Sequence, residues 1–372
     1  MVAVSSWTDR LRTALAGNLN APTVWLTAAF ALVGLVLAGG VATAVGLKDV
    51  ALPAGFVAAI AGVAGGLVPP SLTRQVTFPA WVAVALAPAL ALAGEGRPWV
   101  AAPVSAVVFA VAALAMQDAP TGMLVGALGS TAYVLAVGLA LVRDVPLSHT
   151  LWAGVIGLGA AVVSTFGART VKKWRVRRGR ADAAPEVPPL PGRFATRLLS
   201  GMVTAARDWR HNVYARLALR RVVVLAPLVG VLEARRDPVA LYALVASFSI
   251  TQPTASDTLD RALARTAGVI GAIVVTVVVG VLTPDWVLIL FSIVAMVAGV
   301  AYVLRSPFLI ALGTTVLTVA TGFLAGSSST AVNRLLSTLV GATIGLLATA
   351  IIPVAKPPED QVTTRPADPD PV

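Results

Sequence analysis

The chain has 372 residues, 57% of them hydrophobic and 12% charged, with a mean hydropathy of +0.86 and no cysteine. That balance excludes a soluble globular domain, and the absence of cysteine excludes disulfides, thiol catalysis and thiolate metal sites. A formal charge of +11 would suggest a nucleic-acid partner in a soluble protein, but here the basic residues gather in one segment and in short turns, where they report membrane topology. The fold class that remains is an all-α polytopic membrane protein, with long runs of Ala, Val, Leu and Gly that suit close helix packing in lipid.

In chain order, residues 1–21 are polar and mildly basic, with Trp7, Leu11 and Leu15 at helical spacing, which predicts a short interfacial helix. The first span covers 22–46. Its apolar core exceeds the roughly 7 to 15 residues of a signal peptide, so it is taken as a membrane helix. Spans at 50–68, 76–94, 98–116, 121–142 and 150–167 complete a first membrane half at 22–167. A linker follows at 168–216. Its basic RTVKKWRVRRGR extends the sixth helix, its APEVPPLPG forms a stiff spacer, and Phe194, Leu198, Met202, Trp209 and Val213 mark an amphipathic helix suited to anionic headgroups. The second half, 217–354, holds spans at 217–234, 239–251, 266–282, 286–304, 307–326 and 335–353, and the tail at 355–372 is Pro- and Asp-rich and expected to be disordered.

Twelve spans with both termini inside place 22 of the 28 basic residues on the cytoplasmic side, fourteen of them between residues 168 and 221, and six outside. The expected location is therefore the cell inner membrane, with both termini cytoplasmic. The halves also look like repeats. One ungapped shift of 187 sets Arg74 on Arg261, Trp99 on Trp286, Pro120 on Pro307, Gly126 on Gly313 and Gly154 on Gly341. Six spans per half is an even number, so two like-oriented six-helix repeats are expected, related by an axis along the membrane normal.

The stretch from Tyr242 to Gly271 carries the clearest functional signal. Its apolar segment stops at Gln252-Pro253 after about a dozen residues, too few to cross roughly 30 Å of hydrocarbon at about 1.5 Å per residue. Pro253 breaks the helix, Thr254, Ser256 and Asp257 are residues that cap a new one, and Thr254 and Asp257 stand at capping-box spacing. Arg261 and Arg265 follow on one helix face. Non-helical backbone in a membrane is tolerated where protein buries it or where it lines a cavity, so the break is either a binding site or a capped turn at the membrane surface. The first half has a counterpart in GGLVPPSLTR, another proline interruption before an arginine, Arg74. The candidate substrate-binding residues are Arg74, Gln252, Pro253, Arg261 and Arg265. The competing role for the arginines is topological. Gly268, Gly271, Gly341 and Gly345 are expected to serve helix packing.

DRALARTAGVIGA at Asp260–Ala272 and NRLLSTLVGATIGLLATAIIP at Asn333–Pro353 resemble the two recurrent segments of the fusaric-acid-resistance and aromatic-acid-exporter membrane proteins, in which an arginine precedes a Gly-rich helix. The resemblance is best over 217–353 and weaker in the first half, where Pro79 and Trp81 replace the expected Thr and Gly. It implies two six-span halves, a cytoplasmic region between them, and efflux of aromatic carboxylic anions, and it singles out Arg261, Gly268, Gly271, Arg334, Gly341 and Gly345. Two rival readings stay open: a passive anion channel of the same fold, and a scaffold that recruits a cytoplasmic partner through the linker.

No P-loop and no G-x-S-x-G elbow is present, His149 with Asp144 and Ser148 sits in one short loop with nothing to orient it, and no enzyme is indicated. No cofactor and no metal is expected. The expected partners are a small organic anion, anionic headgroups at the linker and, as an open question, a second copy of the chain, with no nucleic acid. Cysteines introduced at Ala183 and Ser328 should label with an impermeant reagent from opposite sides of the membrane; labelling of both from one side would exclude the twelve-span topology.

Overall fold

The structure is a computed structural model, and it describes residues 24–353 except 69–71, 119–120, 143–146, 179–191, 193, 303–305 and 328. The interfacial helix expected at 1–21, most of the Pro-rich spacer and the tail from 355 lie outside the described residues. Among the described residues there are thirteen α-helices, one 3-10 turn and one π turn, with no strand. In order they are α1 (Trp25–Ala44), the 3-10 turn Lys48–Val50, α2 (Ala51–Leu67), the π turn Thr73–Thr77, α3 (Phe78–Leu92), α4 (Pro98–Ala115), α5 (Thr121–Val142), α6 (Leu147–Arg177), α7 (Phe194–Arg207), α8 (Val213–Arg235), α9 (Pro238–Ile250), α10 (Ala255–Leu282), α11 (Asp285–Ala301), α12 (Pro307–Leu324) and α13 (Ser329–Ile351).

Eight of these segments are long and apolar enough to cross a membrane: α1, α3 with the end of the π turn, α4, α5, α6, α10, α12 and α13. α2, α9 and α11 are apolar but shorter. This is a multi-pass membrane architecture. The basic tract does prolong the sixth helix, since α6 runs without a break to Arg177. α7 is amphipathic and is tied to the α4–α5 connection by Arg197, whose guanidinium bonds Asp118 at 3.0 Å.

Helix ends fall where side chains can satisfy them. Asn212 accepts from the N–H groups of Tyr214 and Ala215 at the start of α8, and Asp237 from Val239 at the start of α9, where Pro238 needs no partner of its own. His149 is oriented after all. Its Nδ1 lies 2.7 Å from Oδ2 of Asp49, across 100 residues of sequence, and this bond holds the Asp49 carboxyl below its ordinary range. The partner was invisible in sequence because it comes from the α1–α2 connection and not from the loop of Asp144 and Ser148.

Within 25–177, α1 packs on α2 and α6, α2 on α6, α3 on α5 and α6, and α4 on α5. Within 213–351, α8 packs on α9 and α13, α9 on α13, α10 on α12 and α13, and α11 on α12. Each of these pairings in the first set has its counterpart in the second, while among the described residues the contacts of α2 with α5 and of α12 with α13 have no comparable one. Between the two sets, α4 lies along α8 in the most extensive helix pair of the described chain, and α1 meets α11. The latter contact includes a bond from the Val24 N–H to the Ala301 carbonyl and an edge-to-face pair of Trp25 and Tyr302 with ring centroids 5.6 Å apart.

The interior is built largely from alanine, so glycine positions decide how close helices come. A Cβ at Gly341 would stand 2.6 Å from Cβ of Ala246 and 2.8 Å from the Ala243 carbonyl, and one at Gly268 would stand 2.7 Å from the Phe308 carbonyl. Gly345 is close to Ile250 at 3.2 Å, whereas Gly271 has open room, with its nearest neighbour, Leu312, at 3.9 Å. Three of the four glycines expected to serve packing therefore sit at close approaches, and Gly271 does not. Gly341→Val should destabilise by about 1–3 kcal/mol or more through overpacking, while Gly271→Ala should be neutral or mildly stabilising. Thermal unfolding midpoints in detergent check this pair, and equal midpoints would remove the packing assignment of Gly341.

Candidate functional site

The helix break forms as the sequence requires. α9 ends at Ile250, Thr251 turns to extended backbone, and α10 begins at Ala255 with Thr254 Oγ1 accepting the Asp257 N–H at 3.1 Å. Four residues leave the helical path, and their polar groups are met locally. The Gln252 side-chain amide donates to the Ser249 carbonyl at 3.0 Å and the Thr251 carbonyl at 3.1 Å, and the Gln252 N–H reaches Thr258 Oγ1 at 3.2 Å. The remaining carbonyls are met by Arg220 of α8, fully buried, whose Nη1 donates to the Gln252 and Pro253 carbonyls at 3.1 Å each while its Nε donates to the Ile352 carbonyl at the end of α13 at 2.8 Å. One guanidinium thus joins the ends of two helices. Gln252 and Pro253, both candidate substrate residues, have these groups engaged in building that node.

The first half solves the same problem with a different helix. α2 ends at Leu67, the chain resumes in the π turn, and Arg169 of α6 donates to the Gly65 carbonyl at 3.2 Å. Gly65 is the residue that the shift of 187 sets on Gln252. Arg74 stands on the π turn, which packs against α2, α3 and α5, and its side chain lies outside the described residues.

Among the described residues, three other guanidiniums are buried with no hydrogen bond to a carbonyl or a carboxylate. Arg265 on α10 is 9% exposed and Arg334 on α13 is 4% exposed; the Nε of each has no hydrogen-bond partner, and the two lie close enough to repel each other. Arg334 is stacked over the Tyr242 ring at 4.6 Å. Arg221 on α8 is 3% exposed, lies over the Phe248 ring at 4.9 Å, and directs Nη1 toward the Met116 sulfur at 3.7 Å. Arg261, one turn nearer the break than Arg265, is exposed, within electrostatic range of both Arg221 and Asp257. The ion pairs found among the described residues, His149 with Asp49, Arg197 with Asp118 and His211 with Asp208, involve none of these arginines.

A permanently charged guanidinium removed from water without an anion costs several kcal/mol, and a second one within electrostatic range adds repulsion. Such a pair is stable only if packing on α10 and α13 imposes it, and it offers planar, multiply donating recognition to an incoming anion. The structure thus divides the sequence candidates. Arg265 belongs to a buried cationic pair, Arg261 stands at its exposed approach, and Gln252 and Pro253 shape the node beside it. Sequence reasoning placed Arg334 in a family motif but not in the site, and counted Arg220 and Arg221 among the topological charges of the linker. The available signal was that this Arg pair interrupts an apolar run between Leu217 and Val222. Elsewhere, a small apolar crevice of about 30 Å³ is lined by Val50, Phe56, Val57, Ile60, Pro88 and other residues of the first half, and none of the arginines reaches it.

The two classes of buried arginine should respond to mutation with opposite sign. Arg220→Lys leaves three carbonyls poorly satisfied and should destabilise by about 3 kcal/mol. Arg265→Met removes an unpaired charge and should leave stability unchanged or raise it by about 1–4 kcal/mol. Unfolding midpoints of both variants check this; a loss for Arg265→Met as large as for Arg220→Lys would mean that Arg265 has a structural partner.

A model of the family described as fusaric acid resistance protein-like matches residues 224–348, which run from within α8 into α13 and include the break, Arg261, Arg265 and Arg334. No curated protein and no solved structure matches the chain.

Proposed function

We propose that this chain, whose residues 224–348 match the fusaric acid resistance protein-like family, exports organic anions of the aromatic carboxylic type, with Arg265 and Arg334 holding the anionic group. A domain of that family points to a membrane transporter of the resistance type. The observation that carries the anion reading is the Arg265 and Arg334 pair, buried with unpartnered Nε atoms and with no carboxylate paired to either. Tyr242 beside Arg334 and Phe248 beside Arg221 supply aromatic surface on the same helix, α9. Arg261 and Arg221 form the electropositive approach from the break.

The same reading places the protein in the inner membrane as two like-oriented six-helix repeats, with the linker and both termini cytoplasmic. Supporting this are the matched helix pairings of 25–177 and 213–351, and their reciprocal contacts of α4 with α8 and of α11 with α1. α7 leaves Leu199 and Val203 exposed, and Trp209 just beyond it is exposed beside Arg207 and Arg210, which suits anionic headgroups at the cytoplasmic surface.

The test uses purified protein in liposomes and labelled phthalate, an aromatic anion whose second carboxylate slows leakage through lipid. Arg265→Lys keeps the charge but loses the planar fork and should weaken phthalate binding by about 1–3 kcal/mol. Arg265→Gln and Arg334→Gln should lose most flux, and Arg261→Ala should lose less because that side chain is exposed. Wild-type flux in Arg265→Gln, with folding verified by its unfolding midpoint, would remove the pair from the transport site.

A further inference from the structure

One buried carboxylate has no place in the anion site. Glu233, in the last turn of α8, is 5% exposed, and its Oε2 accepts the Gly96 N–H from the α3–α4 turn at 3.1 Å. The titratable groups within electrostatic range are Glu95 on that same turn, Arg236 just after α8, and Tyr133 on α5. Tyr133 is itself buried and shares a 2.8 Å hydroxyl bond with Ser105 of α4, so the hydroxyl pair and Glu233 form a polar seam where α4, α5 and α8 meet. No ion pair to Glu233 is found among the described residues.

The position matters more than the group alone. Glu233 lies on the surface along which the two helix sets meet, the α4 and α8 pair. The same helix carries Arg221 twelve residues earlier, about 18 Å away along the axis. One helix, with Pro227 between a buried base and a buried acid, lets the charge state of one end bias a movement that the other end feels.

We propose that Glu233 is the proton-binding site that couples anion export to proton entry, a role that rests on the anion-transport reading above. A proton from water on the far side of the seam joins a Glu233 carboxylate oxygen, is carried as the neutral acid through the change of access, and returns to water on the other side; no other bond is made or broken. Neutralising Glu233 removes its repulsion from Glu95 and weakens its hold on the Gly96 N–H, which frees α8 to shift against the α3–α4 turn. Burial opposes the charge, while the peptide N–H and Arg236 support it, so one proton changes the balance at this contact.

The experiment uses the full chain in liposomes loaded with labelled phthalate, with voltage clamped by potassium and valinomycin. Two fluxes are measured: exchange against external phthalate at equal pH, and efflux with acid outside. Wild type should show both, with efflux accelerated severalfold by the gradient. Glu233→Gln should keep exchange and lose the acceleration, and Glu233→Asp should restore it with a shifted pH midpoint. Exchange without any gradient response in wild type, or an unaltered gradient response in Glu233→Gln, would overturn the coupling role and leave the anion reading standing. Absence of both fluxes in wild type would instead overturn the anion reading, and this role with it. If Glu233→Gln does not fold, Glu233→Asp decides, because an unchanged pH midpoint after moving the carboxylate by one methylene would overturn the proposal.

Discussion

A guanidinium keeps its charge throughout the physiological pH range, so wherever a membrane fold buries one it must supply oxygen atoms or leave the group open to an anion from outside. This chain does both. Arg220 is given the carbonyls of Gln252, Pro253 and Ile352, and Arg169 is given that of Gly65. Among the described residues, Arg265 and Arg334 are given neither a carbonyl nor a carboxylate, and the Nε of each has no partner. Arg220 explains how the non-helical backbone at Gln252 and Pro253 persists, and Arg169 meets a carbonyl in the last turn of α2.

The two roles depend on each other through packing. α10 can present Arg265 to Arg334 only because α9, α10 and α13 lie close together, and that closeness rests on Gly341 and Gly345 against α9, and on Gly268 of α10 against α12. Helices separated by larger side chains would admit water between them, and the guanidiniums would be solvated. The short length of α9 matters for the same reason. By ending at Ile250 it brings free carbonyls to the level of Arg220, and α10 restarts from a cap that aims Arg261 and Arg265 back along the bundle.

The contact between the two helix sets adds a second level of organisation. α8 is the element where the demands meet: Arg220 fixes the break, Arg221 faces α9 and the end of α4, and Glu233 meets the α3–α4 turn. Its charges are also why it is not among the helices that qualify as spans by apolar composition. A helix that buries two arginines and a glutamate against protein gives up lipid solubility for internal recognition, which is where function in membrane proteins concentrates.

The sequence alone determined the helical membrane class, the break at Gln252-Pro253, the capping role of Thr254, the extension of the sixth helix and the family resemblance, because these rest on composition, proline geometry and spacing within a few residues. Of the four glycines it singled out for packing, Gly268, Gly341 and Gly345 lie at close approaches and Gly271 does not. Only the tertiary structure decided which charges were paired. Arg220 reaches Ile352 across 132 residues and Glu233 reaches Gly96 across 137, and no local pattern encodes either. Arg261 and Arg265 share a face in sequence, yet one is exposed and the other buried, since that depends on where α12 and α13 lie against α10. Charge type is written in the residue; whether that charge is satisfied depends on oxygen atoms contributed by distant helices, and so on how the whole bundle packs.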